Sequence, residues 1–299
     1  MDTEQQLAWE ARQRPRAALA AILAALLGLG GGIYSGTVFS DVPRASVAEA
    51  LRRVGESGPI GSLPSLRVPL YEWYDDHVGQ FITTAAINAA GALAIGGALT
   101  FLAYAAAARR ASFPRAGLYV AVIGAVLLAV SLIMVAVGTA QTVDEVLSSS
   151  RTVDAVADVR GGSLLTTGQL LEVVGRFTLG AAFILVSLNA MRAGLLTRFM
   201  GVLGIIAGAL LALPVFGGPL PVVQSFWLIA LGLLFAGRWP GGEPPSWRTG
   251  TEMPWPSGAE VRERRRIEAG GVPEDLSSAR ASEATGPSPA TSKKKRKRR

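Results

Sequence analysis

The stretch LLTTGQLLEVVGRFTLGAAFILVSLNA, residues 164–190, has the length and apolarity of a membrane-spanning helix, yet it holds Glu172 and Arg176 one turn apart. An apolar run of about 18 residues or more matches the ~30 Å hydrocarbon core of a bilayer. At this spacing two opposite charges share a helical face and can pair. Gln169, Gly180, Phe183 and Ser187 continue the same face. A charge turned toward lipid costs several kcal/mol, so that face belongs inside a bundle. Two readings stay open: the pair is part of a working site, or it only fixes how the helices register.

Composition supports the membrane setting. The chain has 299 residues, 50% of them hydrophobic, with a mean hydropathy of +0.37. Its apolar residues come in blocks rather than at one-face spacing. Cysteine is absent, which excludes disulfides, thiol catalysis and cysteine-ligated metals. The single histidine, His77, leaves little for a histidine-based triad or metal site, and no cofactor is expected. The net charge of +7 is local: Lys293, Lys294, Lys295, Arg296, Lys297, Arg298 and Arg299 close the chain and include every lysine in it.

Six segments qualify as spans, at about 17–40, 81–108, 116–140, 170–191, 199–216 and 221–237. The first follows a basic RQRPR like a secretory signal, but its apolar run is longer than an h-region and no small-x-small cleavage site follows closely. An uncleaved helix is therefore expected. Arginine bias in short flanks sets orientation. Arg12, Arg14 and Arg16 precede the first span, Arg109, Arg110 and Arg115 follow the second, and Arg192 and Arg198 follow the fourth. The intervening loop 41–80 has four arginines against six acids, 141–169 sets Arg151 and Arg160 against four acids, and the turn GGPLP at 217–221 is uncharged. The expected fold is an all-α integral membrane bundle with both termini in the cytoplasm. Its parts are a basic segment 1–16, a six-helix domain 17–237, and a disordered tail 238–299 rich in Pro, Gly and Ser. Within that tail a short helix is conceivable around AEVRERRRIEAGG.

The external loops carry short amphipathic patterns: Val47, Leu51 and Val54 in one, Val143, Leu147, Val153 and Val156 in the other. LYEWYDDHVGQF, residues 70–81, has acids beside His77, but its aromatics suit the headgroup belt before a span better than a metal site. Gly28, Gly32 and Gly36, and again Gly204 and Gly208, form small-residue tracks that let helix backbones approach. GLGGG is not a phosphate loop, since no Lys-Ser/Thr follows it, and no H-E-x-x-H or G-x-S-x-G occurs.

About 20 residues of 1.5 Å rise separate Arg192 from Glu172, which sets Glu172 near the outer edge of the hydrocarbon. The second span runs inward from FITTAAINAAG, so Thr84 and Asn88 fall at the depth of Arg176, and Gln141 closes the third span near the same level. The expectation is a polar cluster of Thr84, Asn88, Gln141, Glu172 and Arg176 in the outer half of the bundle, able to take a small polar or ionic ligand. The polybasic tail is expected on anionic lipid, worth on the order of 1 kcal/mol per cation at the surface; without aromatic interleaving it offers no specific nucleic-acid readout.

At NAMRAGLLTRFMGVLGIIAG and FAGRWPGGEPPSWRTG the chain resembles a group of actinobacterial-type multi-pass membrane proteins of unassigned activity, mainly over residues 170–256. The resemblance implies six spans in a bacterial cytoplasmic membrane and lends no site residue. The leading expectation is a non-catalytic membrane protein, structural or regulatory, that presents its external loops to a membrane partner or to another copy of itself. The alternative is a small-solute transporter or ligand-binding protein that uses the polar cluster.

Overall fold

In a computed structural model, residues 2–44, 59–114, 116–159, 162–213, 221–240 and 242–253 are described, with isolated positions at Ala48, Arg52, Arg262, Arg266 and Ile267. Met1–Pro254 forms one unit and Trp255–Arg299 a second. The loop pattern Val47, Leu51 and Val54, Arg115, Arg160, most of the GGPLP turn, most of AEVRERRRIEAGG and the polybasic run 293–299 lie outside the described residues.

The described residues are mostly helical, with no strand among them. In chain order the helices are α1 (Thr3–Val38), α2 (Val68–Asp76), α3 (Val78–Arg109), α4 (Ala116–Ser148), α5 (Val153–Asp158), α6 (Ser163–Arg192), α7 (Arg198–Ala212), α8 (Val222–Phe235) and α9 (Pro245–Thr249). Four segments are long and apolar enough to cross a membrane: Thr3–Asp41, Val78–Arg109, Ala116–Ser148 and Ser163–Arg192. The helices α7 and α8 have 15 and 14 residues. At 1.5 Å per residue they reach roughly 22 and 21 Å, short of a ~30 Å hydrocarbon core.

Helix ends follow local chemistry. Asp2 accepts from Gln5 N at 2.7 Å to start α1, and the Thr152 and Thr197 hydroxyls accept from Ala155 N and Met200 N to start α5 and α7. Gly250, at φ 69°, ends α9 in the left-handed region that a side chain disfavours.

Successive long helices run antiparallel, and glycines mark where they touch. A Cβ on Gly124 of α4 would lie 2.6 Å from the Leu179 backbone nitrogen of α6, and one on Gly175 would lie 2.7 Å from Leu128 N. Gly138 repeats the contact at Leu165 and Gly168 at Val135, so the two backbones stay in contact over most of their shared length. Gly180 of α6 meets the Gly208 carbonyl of α7, and Gly232 of α8 meets Ile22 of α1. The core between them is dominated by alanine, including Ala21, Ala25, Ala98, Ala103 and Ala182, with larger side chains such as Phe183 and Trp227 at the α6–α8 junction. Many of the larger apolar side chains face outward: Leu19 is 60% exposed, Leu170 65% and Phe199 64%. Small inside and large outside is the pattern for helices that associate where no hydrophobic force separates helix from solvent.

The N-terminal end of α3 is capped by an aromatic cluster. Phe39 packs on Trp73 and Phe81 with ring centres 5.7 and 5.6 Å apart, and His77 stacks on Trp73 at 4.4 Å. Burial, with Tyr71 second, holds the Tyr74 phenol above its ordinary range. The loop reading of Val143 and Leu147 is corrected here: both belong to α4, which runs on to Ser148, and Val143 is buried. Val156 is buried in the separate helix α5.

Two boundaries also move. Within the segment 1–16, residues 3–16 are the first part of α1, with Glu10 buried. The tail does not begin at 238, because residues 242–253 pack on the bundle with Trp247 and Ser246 buried. Composition misled there: one tryptophan buries enough apolar surface to order a short Pro/Gly-rich segment.

Gly124→Ala should lower the melting temperature in mild detergent by the equivalent of about 1–3 kcal/mol, the usual cost of overpacking. Gly30→Ala, where the added carbon meets nothing within 4 Å, should be neutral or slightly stabilising. Equal melting of the two variants would contradict the backbone contact.

Candidate functional site

Glu172 and Arg176 pair as their spacing predicts. Arg176 donates from Nε and Nη2 to Glu172 Oε1 at 2.9 and 2.6 Å. The pair is half-buried, with side chains 37% (Arg176) and 23% (Glu172) exposed. Arg176 also lines a half-open cavity of about 260 Å³ bordered by α1, α3, α4, α6, α7 and α8. Its polar wall comprises Arg176, Asn88, Ser35, Gln224 and Ser225, and the rest is glycine backbone and apolar side chains.

Of the five residues expected to cluster, Asn88 and Arg176 line this cavity and Glu172 holds Arg176 from behind. Thr84 is buried one turn from Asn88, with its hydroxyl donated to Gln80 O at 2.9 Å, and it is not part of the wall. Gln141 is an exposed residue outside the cavity. It sits roughly 14 Å along α4 from the lining residue Leu132, nine residues of helix away, past the level where Gly138 meets Leu165 near the start of α6.

Ser35, Gln224 and Ser225 were legible as polar residues inside apolar segments, but only the fold turns them to one point. The glycine track of α1 has a second consequence. Gly28, Gly31 and Gly32 form part of the wall, so bare backbone rather than side chain borders the cavity there. A Cβ on Gly31 would come 2.6 Å from the Asn88 side-chain oxygen, whereas one on Gly36 would meet nothing within 4 Å. The cavity lies where the described part of the α7–α8 hairpin ends, against Leu211 and Pro221.

A second charged centre lies at the opposite end of α3, where Arg109 reads in the sequence as a flank that sets orientation. Its guanidinium is buried and grips Glu10 with two bonds, Nη1 to Oε1 at 2.5 Å and Nη2 to Oε2 at 2.8 Å. Nε donates to Ser246 O at 3.1 Å and Nη1 to Ala105 O at 2.9 Å. Trp247 lies beneath the Arg109 and Arg14 guanidinium groups, 5.3 and 4.4 Å from its ring centre. Its indole N–H donates to Leu195 O at 3.0 Å. Arg14 pairs with Glu243 and Arg110 with Glu252, so residues 242–253 strap α1, α3 and the α6–α7 turn together. The bidentate bonds and the two carbonyls occupy Arg109, which makes this centre structural; the Arg176 cavity has room beside its cation.

No family model, curated protein or solved structure matches the chain.

The two ion pairs should differ in cost. Glu10→Gln leaves a buried guanidinium without its counter-charge and should cost about 3–5 kcal/mol, on the order of 10 °C in melting temperature. Glu172→Gln, at a half-buried pair whose arginine borders an open cavity, should cost less, about 1–3 kcal/mol. Differential scanning fluorimetry of both variants in one detergent checks the ranking.

Proposed function

We propose that the chain is a multi-pass protein of a bacterial cytoplasmic membrane that binds a small polar or anionic solute in the cavity beside Arg176. The observation that carries this reading is a guanidinium on the wall of a cavity whose other polar groups, Asn88, Ser35, Gln224 and Ser225, carry no charge. Glu172 takes Nε and Nη2 and leaves Nη1 for an acceptor on the solute. A volume of about 260 Å³ is below the ~300–1,000 Å³ of drug-sized sites and suits a molecule of few heavy atoms. Arginine is suited to such a role because its fixed fork matches a carboxylate or phosphate.

The proposed topology has six spans and cytoplasmic termini. The antiparallel order of α1, α3, α4, α6, α7 and α8 supports it, as does the gathering of Arg12, Arg16, Arg192 and Arg198 at the end that carries the Arg109 centre. In this arrangement α7 and α8 act as a shorter hairpin that completes one side of the cavity.

A second reading, a non-catalytic protein that presents its external face to a partner, is favoured by the order of that face. Ser65 N donates to Arg151 O and Val153 N to Leu63 O, each at 2.9 Å, and Arg151 pairs with Glu72 at 3.0 Å. These bonds tie the first external loop to the second.

Two experiments address these readings. The native chain has no cysteine, so Ser62→Cys and Ser112→Cys, both exposed, are single labelling sites. Ser62→Cys should react with an impermeant thiol reagent on intact cells, and Ser112→Cys only after permeabilisation. Labelling of both from one side would overturn the topology. For the site, melting of the purified protein is screened against small carboxylates and inorganic phosphate. At least one should stabilise it, and Arg176→Gln should weaken that compound ten- to a hundredfold, matching the roughly 1.5–3 kcal/mol of a charge-assisted hydrogen bond. Stabilisation that survives Arg176→Gln, or none from any compound, would leave the presenting role in its place.

A further inference from the structure

A separate groove of about 350 Å³ runs between α1 and α3 at the end that carries Arg109. Trp9, Gln13, Arg16, Gly97, Thr100 and Tyr104 lie along it, and none of its lining side chains is acidic. Trp9 stacks on Phe101 at 5.9 Å and meets Tyr104 edge-on at 6.1 Å, forming an aromatic rim. From Trp9 to Ala20 the groove follows α1 for roughly 16 Å.

We propose that this groove holds the headgroup and upper acyl chain of one anionic phospholipid. The proposal rests on the membrane setting argued above and is independent of the Arg176 cavity.

Charge is the first reason. Arg16 lines the groove beside the half-buried Trp9 and Gln13, and Arg12, one turn before it, is exposed next to the groove. Like charges at this spacing repel. Among the described residues their hydrogen bonds are long ones, Arg12 Nε to Ala8 O and Arg16 Nη1 to Gln13 Oε1, both at 3.3 Å. Neither involves an acid, in contrast to Arg14, Arg109 and Arg110, each of which has a carboxylate. A lipid phosphate between the two guanidinium groups relieves the repulsion with charge-assisted bonds.

Thr100 is the second. Thr83, Thr84, Thr142 and Thr178 each donate their hydroxyl to the carbonyl four residues back. The Thr100 hydroxyl is buried and has no hydrogen-bond partner. Buried polar atoms are usually satisfied, and an ester carbonyl of a lipid seated on Arg12 and Arg16 provides the missing acceptor. Below Thr100 the groove turns apolar: Ala17, Ala20 and Gly97 leave a channel for the chain, and Gly97 would tolerate a Cβ 3.8 Å from Ala20 Cβ.

The test uses delipidated full-length protein in mild detergent, with melting followed as phosphatidylglycerol or phosphatidylcholine is added. Each variant is compared with its own lipid-free melting. Phosphatidylglycerol should stabilise the parent more than phosphatidylcholine does, and native mass spectrometry should retain one phosphatidylglycerol per chain. Arg12→Gln/Arg16→Gln should weaken that preference at least tenfold. Gly97→Leu, which fills the groove and keeps every charge including the polybasic tail, should do the same. An anionic preference that survives Gly97→Leu belongs to the tail and overturns the proposal. So does a parent with no preference, or an equal effect from soluble glycerol phosphate, which would mark a bare anion site.

Discussion

Backbone-to-backbone contact between α4 and α6 is the constraint on which the rest of the molecule depends. Gly124, Gly138, Gly168 and Gly175 let the two helices meet without side chains between them. In lipid no hydrophobic gain rewards helix association, so van der Waals contact and hydrogen bonds must supply it. Once small residues are assigned to the contacts, larger apolar ones are free to cover the outer surface. The outward positions of Leu170, Val173, Val174 and Phe177 on α6 follow from the inward positions of Gly168, Gly175 and Leu179.

The same economy of side chains makes the cavity. On α1, glycine at 28, 31 and 32 serves two ends: close approach to Asn88 at Gly31, and a wall of bare backbone along the cavity at all three positions. The polar groups fall on the walls of that volume because each of their helices has another face to pack. Arg176 tolerates the setting because Glu172, one turn away on its own helix, offsets its charge wherever the neighbouring helices lie.

The two ion pairs show what distance along the chain changes. Glu172 and Arg176 are neighbours on one helix, so their pairing needs no tertiary structure and stabilises little of it. Glu10 and Arg109 are joined only when the ends of α1 and α3 come together, and their burial makes the match obligatory. Trp247 then closes over the pair and draws residues 242–253 into the bundle. A segment whose prolines and glycines suggest a free tail is thereby ordered by one aromatic ring and the carbonyl of Ser246.

Length and apolar blocks alone determined that this chain is helical with membrane-length segments, because a helix satisfies its backbone within itself and the apolar count sets its reach. The Glu172–Arg176 bond was legible for the same reason: spacing of four on one helix is local geometry. Tertiary structure alone decided which polar residues share a space. Gln141 fell away because α4 meets the cavity at Leu128 and Leu132, more than two turns before it, and Thr84 because its hydroxyl found Gln80 O on its own helix. Ser35, Gln224 and Ser225 joined because α1 and α8 pack antiparallel at that level. Arg109 gave no sign of its partner, since a basic residue at a span's end serves orientation equally well alone. Pairing across 99 positions depends on how two helices meet, and nothing local to either helix encodes that.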